Sequence, residues 1–251
     1  MLFSSKPPIS REEFDWLLAC FAWLLTMLGD RHTAPGLIGP SHPQLLEART
    51  GPELFEAVRG LMRMQDWPCE LEMVPDDPAH DPDGTFFEGT GACGTCSVVD
   101  GVARIRYSSQ MLANPDALAG TFAHELCHFL LWEAGDPPGG PDLMEHSTDC
   151  AAAYLGFGVL LANSARTFAK WQDDLYGYWQ SSTAGYLSEQ SLVTATAASA
   201  ALHGFDLGPA ESGLKPYLRS DLKKAKRALA KNHPDLGASL SDIDLLEYNY
   251  A

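Results

Sequence analysis

The stretch Asn114–Gly135 reads NPDALAGTFAHELCHFLLWEAG, and its punctuation predicts one helix of about five turns. Asn114 can cap the first turn with its side-chain oxygen, Pro115 suits the first helical position, and Gly135 suits the stop. Inside that frame lies His124-Glu125-Leu126-Cys127-His128, an H-E-x-x-H motif. Residues four apart share a helix face, so both imidazoles can meet one metal ion. Glu125 lies beside that face, where it can take a proton from metal-bound water. Such a site needs a third protein ligand, and to be catalytic it must keep a further position open.

The third ligand is expected on the next helix, predicted from about Pro141 to Asn163. It carries Met144-Glu145-His146-Ser147-Thr148-Asp149. Glu145 and Asp149 are again four apart and share a face, and sixteen residues separate His128 from Glu145. Three side chains compete for the place: Glu145, Asp149 and His146, the last about 100° around the helix from Glu145.

The pattern H-E-x-x-H, sixteen residues, E-x-x-x-D resembles the gluzincins, the thermolysin-like zinc metallopeptidases. The resemblance implies that His124, His128 and Glu145 bind zinc, that Glu125 is the general base, and that Asp149 hydrogen-bonds His124. A carboxylate in that last role fixes the imidazole tautomer and makes the ring a better ligand. Asp149 as the ligand itself would resemble other zincins. With the segment Asp149–Ser164 (DCAAAYLGFGVLLANS), the motifs also resemble a group of uncharacterised bacterial zincin-like proteins. That likeness covers roughly residues 96–164, with a looser likeness around Trp179–Glu189. It implies a zincin-like α+β fold, Zn2+ as cofactor and a peptide or protein substrate. A regulatory protein partner is a further expectation.

Outward from the motif, the chain divides into a strand-bearing first half and a helical second half, which reads as α+β in a single domain of 251 residues. Ser10-x-x-Glu13 is a capping box and Gly29 a stop, so a helix is expected over 11–28. Its apolar run Trp16–Leu28 is 13 residues, too short for a bilayer, and the residues before it are net acidic, unlike a signal peptide. A buried helix of a cytoplasmic protein is the reading. Residues 29–50 read as loop, and Thr50 with Glu53 caps a helix to about Gln65. Cys69–Val74 reads as a strand, and residues 75–94 as an acidic exposed loop. Cys96–Val99 and Val102–Tyr107 form a hairpin around Asp100-Gly101, whose residues supply the positive φ angles of a type I′ turn. Val102–Tyr107 (VARIRY) is expected at the sheet edge bordering the cleft, where an extended peptide adds as a further strand; an interior strand is the alternative. Later helices are expected near 166–180, 188–203 and 211–231, and Leu240–Tyr250 reads as a tail. Gly156 and Gly158 suggest close packing beneath the motif helix. Tyr154, Tyr178, Tyr186 and His203 are candidate donors to a tetrahedral oxyanion.

Charge bounds the function. The formal net charge is −16, which argues against nucleic-acid binding, since that needs a basic footprint. An acidic surround favours a bound cation and basic or neutral substrates. Lys215–Lys231 runs against the trend with seven bases and one acid, and a solvated helix face is the favoured reading over a docking face. Six cysteines do not make a disulfide scaffold. Cys93-Gly94-Thr95-Cys96, with Cys69 and His80, could form a second metal or redox site, but a lone C-x-x-C is a weak signal. Asp81-Pro82-Asp83-Gly84 lacks the key ligands of a calcium loop. The functional expectation is therefore a zinc-dependent endopeptidase. The alternative is a non-catalytic zincin-like module acting through a protein partner, and the intact Glu125 counts against it.

Overall fold

The computed structural model describes residues 6–29, 35–74, 94–165 and 187–250. The architecture is α+β: a small three-stranded sheet with helices making up most of the remainder. Helix α1 (Arg11–Leu28) starts where Ser10 accepts a hydrogen bond from the Glu13 backbone N–H and stops at Gly29. A one-turn helix, α2 (Pro43–Glu47), interrupts the stretch expected to be loop. Helix α3 (Gly51–Leu61) is capped by Thr50 as expected but ends before Gln65. There the buried Arg59 guanidinium donates to the carbonyls of Met64, Gln65 and Trp67, holding the turn that leads into the sheet.

Strand β1 (Cys69–Val74) pairs parallel with β3 (Val102–Ser108), and β2 (Gly94–Val99) pairs antiparallel with the other side of β3. The hairpin turn is as read, with φ +52 at Asp100 and +77 at Gly101. The strand order β1-β3-β2 corrects one expectation: Val102–Tyr107 is the interior strand, and β2 is an edge among the described residues. The physical reason is the parallel return of β1, which takes up the row of β3 backbone groups that β2 leaves open. Ala103, Ile105 and Tyr107 bury one face of the strand in the core. On the opposite face, Arg104 and Arg106 pair with Glu70 and Glu72 across the parallel ladder. Residues 75–93, including the predicted acidic loop, Cys93 and His80, lie outside the described residues.

Helix α4 (Pro115–Leu130) carries the motif. Asn114 accepts from the Ala117 N–H at 3.2 Å, and the helix passes into a turn at Leu131, short of Gly135. Sheet and α3 pack against α4, and so does α5 (Met144–Tyr154). Phe122 locks the sheet side: its ring meets Phe55 and Tyr107 edge-on, each at 5.2 Å. Replacing Asn114 with Ala should cost about 1 kcal/mol, read as a lower urea midpoint at unchanged m-value.

The helix expected over Pro141–Asn163 is broken. A 3-10 turn (Pro141–Leu143) precedes α5, and Gly156 at φ +93 divides α5 from α6 (residues 158–165). Its carbonyl accepts from the Ile38 N–H at 2.8 Å. A side chain is strained at that φ, which explains the glycine. Gly158 packs against Thr196 of α7 (Glu189–His203), not under the motif helix; Gly120 of α4 is the glycine that meets α6, at Leu160 and Leu161.

Helix α1 packs on α5, α7 and α10 (Leu236–Ser241), so the N-terminal helix belongs spatially to the C-terminal half. One continuous apolar core joins both halves. The helix expected over 211–231 is split into α8 (Gly208–Gly213) and α9 (Arg219–Asn232). Pro216 holds Lys215 extended, at ψ 139. Leu222, Ala225, Ala228 and Leu229 bury one side of α9, which packs on α7, while Lys223, Lys224, Lys226, Arg227 and Lys231 face solvent. Residues 240–250, read as a tail, close α10 and form a last 3-10 turn (Leu245–Tyr250). The helix expected near 166–180 lies outside the described residues, and none of the described helices is long and apolar enough to cross a membrane.

Candidate metal centre

Helix α4 presents His124 and His128 from successive turns, and the first turn of α5 brings Glu145 to them. His124 Nε2 lies 3.1 Å from His128 Nε2 and 3.3 Å from Glu145 Oε2; His128 Nε2 lies 3.5 Å from the same oxygen. These three side chains form a group able to hold a metal ion. His124 is buried, and the other two are half-buried at the surface end.

Each imidazole has its second nitrogen committed elsewhere. His124 Nδ1 donates to Asp149 Oδ1 at 2.9 Å. His128 Nδ1 faces Thr148 Oγ1 at 3.5 Å, and that hydroxyl spends its own proton on the Met144 carbonyl at 2.9 Å. With both Nδ1 atoms as donors, both Nε2 atoms carry lone pairs, and both point at a carboxylate oxygen. Three such acceptors at this spacing repel one another unless a cation sits among them.

The spacing fits a specific kind of cation. Ligands about 2.0–2.1 Å from a tetrahedral centre stand about 3.3–3.4 Å apart, and the observed edges of 3.1, 3.3 and 3.5 Å bracket that value. With no ion, a proton takes the cation's place. Burial opposes charge on His124, yet its hydrogen bonds to Asp149 and Glu145 outweigh that and push the pKa up to about 10. Burial also acts against ionised Glu145, but the two imidazoles hold its carboxyl well below the usual carboxylate range.

Of the three candidates for third ligand, Glu145 is the one in the cluster. Asp149 stands behind it: Oδ1 takes the His124 N–H, and Oδ2 accepts the Leu187 backbone N–H at 2.8 Å. His146 turns away, its ring edge-on to Trp16 at 6.2 Å. Replacing Asp149 with Asn should weaken metal binding about 10- to 100-fold, measured by chelator competition.

Glu125 sits beside the cluster, only 4 % exposed. Burial pushes its pKa up, partly offset by His124 and His128. Its carboxyl packs against Gly94 at the start of β2; a Cβ there would stand 3.0 Å from Glu125 Oε1 and 2.6 Å from Thr121 Cγ2. Edge strand and general-base candidate are therefore in direct contact because residue 94 has no side chain.

The other candidates separate from the site. Tyr154 and His203 pack on each other edge-on at 4.7 Å, with Phe21 beyond, as part of the helical core. Tyr178 and Tyr186 lie outside the described residues. Burial pushes the Cys96 thiol up to about 12, and burial also raises Cys69, while Cys93 and His80, the other members of that candidate site, lie outside the described residues. Sequence reasoning missed three contributors: Thr148, Leu187 and Gly94. Thr148 lies in the segment already searched, four residues after Met144, and could have been found there. Leu187 acts through its backbone and leaves no signal in its side chain. No family model, no curated protein and no solved structure matches the chain.

Proposed function

We propose that the chain is a zinc-dependent endopeptidase of zincin-like design, related in its site plan to the gluzincins. The observation that carries this reading is the triangle of lone pairs from His124, His128 and Glu145, spaced for a tetrahedral ion. Glu125 is buried beside it. Two imidazoles and one carboxylate form a donor set suited to zinc. Zinc bound there supplies a water of lowered pKa and polarises the scissile carbonyl.

The remaining work falls to this chain's own groups. Asp149 and Thr148 hold the two imidazoles in the tautomer that leaves Nε2 bare. The Glu125 carboxylate takes a proton from the attacking water. Its burial raises its proton affinity toward the working pH, which suits a base that must later give the proton to the leaving amine. The β2 edge, next to Glu125, offers backbone groups with which an extended peptide can pair. Three carboxylates around the cluster and a net charge of −16 favour neutral or basic peptides.

The test is a charge-varied peptide library incubated with the zinc-loaded protein and read by mass spectrometry. Cleavage should stop with a zinc chelator and return with added zinc. A zinc-loaded protein that cleaves nothing would overturn the peptidase reading and leave a metal-binding module.

A further inference from the structure

Thr121 behaves unlike the other threonines in the described helices. Thr26, Thr148, Thr194 and Thr196 each donate to the carbonyl four residues back, at 2.7 to 3.0 Å. Thr121 Oγ1 has no hydrogen-bond partner, although the residue is only 5 % exposed. A buried hydroxyl left in that state is rare and destabilising. The residue lies one turn before Glu125, on the same face of α4.

The arrangement over Gly94 says where that hydroxyl belongs. The methyl of Thr121 and Oε1 of Glu125 both close on the point above Gly94, 2.6 and 3.0 Å from where a Cβ would stand. The methyl arm of Thr121 therefore shares the space above Gly94 with the carboxyl, while the hydroxyl arm has no hydrogen-bond partner. One staggered rotation about χ1 brings the hydroxyl to where the methyl stands and carries the methyl to the place of the Cβ hydrogen, and threonine in a helix divides between two rotamers. In that rotamer the hydroxyl would take the methyl's place above Gly94, beside Glu125 Oε1. A hydroxyl can both donate to a carboxylate and accept from a carboxylic acid, so it can keep hold of that group throughout a proton-transfer cycle.

We infer that Thr121 is a positioning residue for Glu125: its hydroxyl hydrogen-bonds the Glu125 carboxyl over Gly94 and holds it at the metal cluster. The catalytic part of this rests on the proposed peptidase reading; the contact itself does not.

The experiment is a double-mutant cycle on thermal unfolding of the metal-free full chain. It compares wild type, Thr121→Val, Glu125→Leu and the double variant. If the pair is bonded, Thr121→Val should lower Tm by about 4 °C in the wild-type background and by less than about 1 °C beside Glu125→Leu. An equal shift in both backgrounds, or a rise in both, would overturn the contact. In the zinc-loaded protein, Thr121→Val should lower kcat about tenfold with KM and zinc affinity unchanged, and Thr121→Ser should restore most of it. Thermal coupling without any hydrolysis would sink the peptidase reading and keep the pair. Hydrolysis without coupling, and with kcat unmoved by Thr121→Val, would sink the pair and keep the peptidase.

Discussion

Glu125→Gln should bind one zinc per chain as the wild type does and hydrolyse peptide about 10²- to 10⁴-fold more slowly. The two halves of that result have separate causes. Metal retention follows from geometry, because Glu125 contributes none of the three converging ligand atoms. Loss of turnover follows from chemistry. An amide of nearly the same shape keeps the packing over Gly94 and beside Thr121, but it cannot accept the proton of the attacking water. The substitution also removes a buried ionisable group whose burial disfavours its charge, so the variant should be no less stable than wild type. Metal content by atomic spectroscopy, Tm, and kcat on one cleaved peptide give the three readings. Unchanged kcat would remove Glu125 from the role of base.

His124→Ala should have the broadest effect of any single substitution in the site. It deletes one of three ligands, so zinc affinity should fall by more than the about 10- to 100-fold expected of Asp149→Asn. It also strands Asp149. That carboxyl is almost wholly buried, and the His124 N–H is one of its two hydrogen bonds, the other coming from the Leu187 N–H. Leaving a buried charge without its cationic partner costs about 3–5 kcal/mol, which denaturant unfolding of the metal-free protein would register. His128→Ala makes the useful contrast. Its ring is more exposed and holds no buried acid, so metal affinity should fall with little loss of stability. Zinc that survived His124→Ala and vanished in Cys96→Ser would instead locate the metal at the cysteines.

What could be read from the sequence was whatever local chemistry decides. The caps at Ser10, Thr50 and Asn114 and the Asp100-Gly101 turn each depend on a few neighbouring residues, and each stands where it was expected. The motif face of α4 follows from helical period alone. Partnership across the chain was less legible. The alternation in Val102–Tyr107 marks a strand with one buried side, but an edge strand and a central strand share that pattern. Only the parallel return of β1 decides between them. The glycines at 156 and 158 pointed to something unusual without naming the partner. One proved to be a break and the other a seat for Thr196. In the metal centre, spacing brought forward Glu145, Asp149 and His146 together. Which side chain faces the histidines depended on how α5 is rotated against α4, a tertiary quantity.

The three side chains able to hold a metal ion come from two helices, and Asp149 ties the second of them to Leu187 at the approach to α7. An ion held there would act as a cross-link between segments far apart in sequence. Any opening that separates α4 from α5 must first release the ion. At a free metal concentration a hundred times Kd, such opening becomes about a hundredfold rarer, equivalent to about 2.7 kcal/mol. Hydrogen exchange would show it as local slowing, in the amides of the first turn of α5 and of residues 187–192, graded with metal concentration. The ion proposed for the chemistry would then also time the breathing of the helical half.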